Sequence, residues 1–176
     1  MKITQWLLLV LSGLIILNLT HVFYFNIFTH SLPYGVYMKV KGVPQRGEYA
    51  STCLTSEIAQ YGINRGYLAE GKCDTGTVPV LKIIKGLPGD HFVIKEGFLR
   101  INGYSYPIIG EDSSGRVLNI FYRQKDGILD KEKYLLLSNF VKNSWDSRYW
   151  GPVSIQSLLR PLLIFENVKY PQIHHP

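Results

Sequence analysis

Three segments of the chain carry side chains whose types and spacing could do chemistry. In Thr29-His30-Ser31-Leu32-Pro33-Tyr34-Gly35 the hydroxyl of Ser31 precedes a Leu-Pro pair; taken alone, such a serine is an ordinary turn residue. In Val78-Pro79-Val80-Leu81-Lys82-Ile83-Ile84-Lys85-Gly86, Lys82 interrupts an otherwise apolar run. If that strand is buried, loss of water disfavours the ammonium form, and the neutral amine becomes available near neutral pH to take a proton from a serine. The alternative is an edge strand from which Lys82 reaches into water, as Lys85 nearer the turn is expected to do. A hydroxyl beside a neutral amine is the requirement of a Ser–Lys dyad, with Ser31 as nucleophile and Lys82 as general base. The third segment, Asn143-Ser144-Trp145-Asp146-Ser147-Arg148-Tyr149-Trp150-Gly151-Pro152, crowds hydroxyls, a carboxylate and a guanidinium between two tryptophans. Polar groups packed so densely need one another as partners, either in a site or in a structural turn closed by an Asp146–Arg148 pair.

The elements that must position these groups read as mostly β. Gly35–Val40, Val78–Ile84, Phe92–Ile94, Phe98–Ile101, Val117–Tyr122 and Tyr134–Leu137 are short β-prone runs separated by Gly, Pro, Asn or Asp. Lys95-Glu96-Gly97 and Asn102-Gly103 are tight-turn signals at the two ends of one of these strands. Helical signals are short: Thr55 or Ser56 can cap a turn or two carrying Glu57, Ile58 and Tyr61 and stopping near Gly62, and Ile155–Leu159 reads as another before Pro161. Repeats and low-complexity linkers are absent from the sequence.

Length and composition set the frame. With 176 residues there is room for one domain and a short leading segment, and the excess of 19 Lys+Arg over 13 Asp+Glu is spread along the chain. Without a basic run, a nucleic-acid partner is not expected. Ile3–Leu19 is apolar and close to the ~20 residues that span a bilayer, with Lys2 before it and Phe23, Tyr24 and Phe25 after it. It reads as an N-terminal transmembrane helix rather than a cleaved secretory signal, because no small-x-small site follows. The expected division is an anchor over residues 1–24 and an exported domain over 25–176, with the N-terminus cytoplasmic, the domain periplasmic in a bacterial inner membrane, and the bilayer as a partner. Cys53 and Cys73 are the two cysteines; their spacing in an oxidising compartment suits a disulfide, against two unrelated buried thiols. A zinc site is disfavoured because neither cysteine has a ligand at suitable spacing, and His174-His175 reads as an exposed tail.

Together the strings Ser-Leu-Pro-Tyr-Gly-Val-Tyr, Leu-Lys-Ile-Ile-Lys-Gly-Leu-Pro-Gly-Asp and Ser-Trp-Asp-Ser-Arg-Tyr-Trp-Gly-Pro-Val resemble, in this order, the type I signal peptidases, over residues 25–165. Leu32 after the serine, the Cys53–Cys73 segment and Asp112-Ser113-Ser114-Gly115-Arg116 resemble the conjugative-transfer, TraF-type branch. The chain departs from leader peptidases in lacking a second membrane helix and the Gly-Asp-Asn-Arg lead-in before Ser144. The resemblance implies a signal-peptidase-like β domain, Ser31 as nucleophile and Lys82 as base. It also implies Ser144 as a hydroxyl orienting the amine, Asp146 and Arg148 as its supports, and Thr29 beside the oxyanion. No metal or organic cofactor is implied. The expected substrate is a membrane-inserted pilin precursor, trimmed or cyclised through an acyl-enzyme. The rival readings are a general leader peptidase acting on secretory preproteins and a non-catalytic β module of a secretion or pilus assembly.

Overall fold

In the computed structural model, which describes residues 3–27 and 29–165, ten strands form two antiparallel sheets. The first elements are helix α1 (Ile3–Val22) and strands β1 (Phe23–Asn26), β2 (Gly35–Val40) and β3 (Tyr49–Thr52). Helix α2 (Ser56–Asn64) and β4 (Val80–Gly86) follow, then β5 (His91–Lys95), β6 (Phe98–Ile101), β7 (Tyr104–Pro107), β8 (Asp126–Ile128), β9 (Leu135–Leu137), the single-turn helix α3 (Ser147–Trp150) and β10 (Ser157–Ile164). The larger sheet has the order β1-β2-β10-β3-β4-β9 and the smaller one β7-β6-β5-β8.

The mostly β reading therefore holds, but the membrane span does not. Among the described residues no helix is long and apolar enough to cross a membrane. The 20 residues of α1 include the polar side chains Gln5, Ser12 and Asn18 among the apolar ones, which lowers its apolarity as a bilayer span. The transmembrane anchor, and the single-pass inner-membrane placement with a periplasmic domain built on it, are corrected accordingly. The aromatic residues that follow the apolar stretch are strand residues: Tyr24 and Phe25 pair with Tyr37 and Val36. The His174-His175 tail lies outside the described residues.

Turn chemistry sets the smaller sheet. Glu96 and Gly97, then Asn102 and Gly103, all have positive φ, the conformation that two-residue hairpin turns require for their twist to match the strands. They close the pairs Lys95↔Phe98 and Ile101↔Tyr104. Strand β9 joins this sheet to the larger one through its side-chain alternation. Leu135 and Leu137 pack with Phe92, Leu99 and Ile101, while Leu136 points the other way, into a cluster with Val80, Ile84, Trp145 and Tyr149. A third cluster, with Leu32, Tyr37, Ile83 and Leu159, covers the opposite face of the larger sheet. Its central strands are thus buried on both faces, which is why β4 reads as a continuous apolar run.

Two local expectations change. Ile155–Leu159 is not a helical turn; Ser157–Ile164 is a strand, with Leu158 and Leu159 bonded to both β2 and β3. Pro161 is accommodated because β3 ends opposite Ser157–Leu159, and the pairing with β2 shifts register between Pro161 and Leu163. Val117–Tyr122 is irregular apart from an isolated bridge from Val117 to Glu111, and its Phe121 N–H donates to the Tyr149 carbonyl instead of to a strand. Helix α2 ends at Asn64, two residues past Gly62, and a side chain at Gly62 would meet Leu68 and Trp145 at 2.7–2.9 Å. That glycine serves close packing.

Cys53 and Cys73 form a disulfide across a sequence separation of 20, enclosing α2. Replacing both by serine is expected to lower the free energy of unfolding by about 3 kcal/mol, measured by urea denaturation. The unreduced protein should weigh two hydrogens less than the dithiol.

Candidate active site

The larger sheet brings Ser31, Lys82 and Ser144 together from distant parts of the chain. Ser31 lies in the connection between β1 and β2, Lys82 on β4, and Ser144 in the loop between β9 and α3. The Lys82 Nζ is in hydrogen-bond contact with Ser31 Oγ and donates to Ser144 Oγ at 3.0 Å. Lys82 shares a strand face with Val80 and Ile84 and is only 5% exposed, so it does not reach into water. Burial lowers its pKa to about 8; the nearby Asp146 carboxylate opposes that shift and the Arg148 guanidinium adds to it. Because the two partners act in opposite directions, desolvation governs.

Asp146 and Arg148 meet in a bidentate pair, Nε to Oδ1 and Nη2 to Oδ2, both 2.8 Å, with both residues buried. Asp146 also caps α3 by accepting from the Arg148 N–H, and it takes a bond from the Ser138 N–H. Arg148 uses its remaining donors on carbonyls, reaching Ser144 at 3.0 Å, Pro107 at 2.8 Å and Lys142 at 3.2 Å. The guanidinium thus fixes the backbone at Ser144 and fastens that loop to the smaller sheet. Trp145 extends the anchorage, stacking on Tyr61 at 5.9 Å and lying 5.3 Å from Tyr67.

Thr29 lies at the mouth of the same site, where its hydroxyl donates to Asn26 Oδ1 at 3.0 Å. Asn26 and Ser138 were not singled out by sequence reasoning. Both are buried polar residues bonded to the backbone around Ser31, at long range in the case of Ser138. Their only sequence signal is a polar residue within an aromatic or leucine-rich run.

Asn26, Thr29, Ser31, Lys82, Ser144 and Trp145 line a cleft of about 610 Å³. Tyr24, Phe25, Leu81 and Val141 contribute apolar walls, and Tyr67, Leu68 and Ala69 form the side enclosed by the disulfide. That side is latched through Asp112. Its carboxylate accepts from the Tyr67 hydroxyl, from the N–H groups of Ser114 and Arg116, and from Arg116 Nε at 2.8 Å. The Tyr67 bond leads these contacts in holding the Asp112 carboxyl below its ordinary range. A second, open groove of about 540 Å³, at Lys39, Glu132 and Gln156, contains none of the expected site residues.

The chain belongs to the family described as signal peptidase, peptidase S26, which matches residues 3–160. Within the wider set of relatives it is similar to TraF-type conjugative transfer proteins. It is 32% identical to plasmid transfer protein TraF of Escherichia coli over 146 residues, 77% of this chain and 80% of that protein. It is 36% identical to conjugal transfer protein TraF of Agrobacterium tumefaciens over 107 residues, 57% of this chain and 58% of the relative. Identity to conjugal transfer protein TraF of Agrobacterium fabrum is 30% over 167 residues, 90% and 92% of the two chains.

The burial of the ion pair generates a stability contrast. Arg148→Met is expected to cost about 3–5 kcal/mol, because Asp146 is left charged in the interior without its counter-ion. Arg46→Met, which breaks the partly exposed Arg46–Asp90 pair, should cost no more than about 1 kcal/mol. Urea unfolding of the two variants makes the comparison.

Proposed function

We propose that this protein is a serine endopeptidase of the signal-peptidase type, in which Ser31 is the nucleophile and Lys82 the general base. The observation that carries the reading is the contact of a buried lysine amine with two hydroxyls, Ser31 and Ser144. A lysine with a pKa near 8 is substantially neutral just above physiological pH, and a neutral amine can accept the Ser31 proton. As Ser31 Oγ bonds to the scissile carbonyl carbon, its proton passes to Lys82. When the carbon–nitrogen bond breaks, the Lys82 ammonium returns that proton to the departing amine. Water then attacks the acyl-enzyme, giving its proton to Lys82 and restoring Ser31. Ser144 holds the amine on line between these transfers, and Asp146 with Arg148 holds Ser144.

In this mechanism Thr29 assists the Ser31 N–H in binding the oxyanion. To do so its hydroxyl exchanges the bond to Asn26 for one to the substrate. Loss of one such donor typically costs about 3 kcal/mol of transition-state stabilisation.

Two substrate readings have specific support. The family description, signal peptidase, favours removal of signal peptides from secretory preproteins. The names of the relatives, plasmid and conjugal transfer proteins, favour a precursor used in conjugation, a pilin among them. Resolution of the acyl-enzyme by the substrate's own amine in place of water would give a cyclic product. Rescue of leader-peptidase-depleted cells supports the first reading; a change in pilin mass and loss of conjugation in cells carrying Ser31→Ala support the second. A product shortened but still containing the mass of one water excludes cyclisation.

Ser31→Ala, Lys82→Ala and Lys82→Arg are each expected to reduce cleavage to below a few per cent of wild type, since guanidinium cannot act as a base near neutral pH. Substantial cleavage by any of them rejects the dyad, whereas a folded wild type that cleaves nothing leaves the non-catalytic module.

The pH profile follows from the direction of the Lys82 shift. The base works deprotonated, so the rate should fall by about tenfold per pH unit well below pH 8 and level off above it. A flat profile from about pH 6 to 10, with chemistry limiting, contradicts Lys82 as the base.

A further inference from the structure

We infer that Asn26 and Ser138 are positioning residues that clamp the backbone on both sides of Ser31 and thereby set the direction of its hydroxyl. The inference rests on the peptidase reading above. The connection carrying Ser31 is not a hairpin turn of standard length: residues 27–34 separate β1 from β2, and the pairing of Asn26 with Gly35 closes its base. A loop of that length needs side-chain partners to hold one conformation, because its carbonyls have no ladder to join.

Asn26 supplies them from within. Its Nδ2 lies 3.1, 3.0 and 3.1 Å from the carbonyl oxygens of Thr29, Leu32 and Pro33. Its Oδ1 accepts from the Thr29 N–H and hydroxyl. Ser138 supplies the opposing half from the end of β9, where its hydroxyl donates to the Ser31 carbonyl at 2.7 Å and accepts from the Phe140 N–H at 3.1 Å. Both residues are buried, at 5% and 7% exposure, so water competes little for these bonds. One side chain thus gathers the carbonyls before and after Ser31, and the other fixes the carbonyl of Ser31 itself.

The Ser138 contact also closes a ring. Its own N–H donates to Asp146, Asp146 pairs with Arg148, Arg148 donates to the Ser144 carbonyl, and Ser144 and Ser31 both meet Lys82. Through Ser138 the shell that orients the base is physically connected to the segment that carries the nucleophile. Neither clamp residue contacts the Lys82 amine, so their loss should misdirect Ser31 without altering the base. A nucleophile displaced by about 1 Å costs on the order of 100-fold in rate.

The test is steady-state cleavage of an internally quenched peptide bearing an Ala-x-Ala site by wild type, Asn26→Ala, Ser138→Ala and Ser138→Thr, with thermal unfolding of each. Expected is a fall in kcat of about 10- to 100-fold for each alanine variant. KM should stay within about twofold and the pH midpoint near the wild-type value, because Lys82 and the apolar walls at Tyr24, Phe25, Leu81 and Val141 keep their side chains. Ser138→Thr, which keeps the hydroxyl, should recover most of the lost kcat. If the alanine variants retain kcat within about twofold, the clamp is overturned while the peptidase reading stands. If KM and the pH midpoint move together with kcat and threonine does not rescue, the residues are merely structural and the proposal is rejected. A folded wild type that neither cleaves the peptide nor acylates Ser31 with an activated ester rejects the peptidase reading and the clamp with it.

Discussion

A lysine enclosed in a β-sheet imposes a demand that its neighbours must answer, because an ammonium ion without water needs donors turned away from it and acceptors turned toward it. Lys82 meets two hydroxyl oxygens, groups that can accept from the amine and, in the case of serine, donate to it. A carboxylate in direct contact would have held the proton on lysine. The structure keeps Asp146 occupied by Arg148 instead, and the opposed influences of that pair leave desolvation as the controlling cause. The ion pair is thereby a structural component that permits a lowered lysine pKa, and its own cost of burial is met by a full set of hydrogen bonds.

The arrangement also explains why the six-stranded sheet is covered on both faces. Lys82 lies on the side of Val80 and Ile84, under the cluster that includes Trp145, while Leu32, next to Ser31, packs in the cluster on the other side. The hydroxyl and the amine are therefore held by different cores. Ser138 reaches Ser31 from the end of β9, the strand whose leucines divide between the large and small sheets. Packing in both sheets is transmitted to the relative placement of the Ser31 hydroxyl and the Lys82 amine.

The opposite wall of the cleft is held differently. Arg65, Tyr67 and Arg116 converge on one carboxylate, Asp112, and the Cys53–Cys73 bond encloses the same segment. Here the polar network lies near solvent, and the covalent closure limits how far the wall can open. A buried polar centre therefore lies beside a latched, partly exposed wall.

The mostly β class, the hairpin turns at Glu96-Gly97 and Asn102-Gly103, and the three strings around Ser31, Lys82 and Ser144 were legible from residue types because each depends on local chemistry: positive φ at turns, alternation in strands, a cation in an apolar run. Other features were not, and most of them have a long-range cause. Pro161 read as the end of a helix, but β10 is a strand whose neighbour stops before the proline. The helix ends near Gly62 as read, at Asn64, but the glycine itself is there as a contact surface for Leu68 and Trp145. The apolar content of Ile3–Leu19 suggested a membrane span, an inference from composition that the described helix does not sustain. Asn26 and Ser138 looked like ordinary polar residues because their partners are backbone carbonyls, which have no side-chain identity to recognise, and one of those contacts crosses 107 positions. The sequence alone determined which side chains were capable of proton transfer. Only the tertiary structure decided that Lys82 faces a buried interior and not water, because burial depends on which strands and loops close over it.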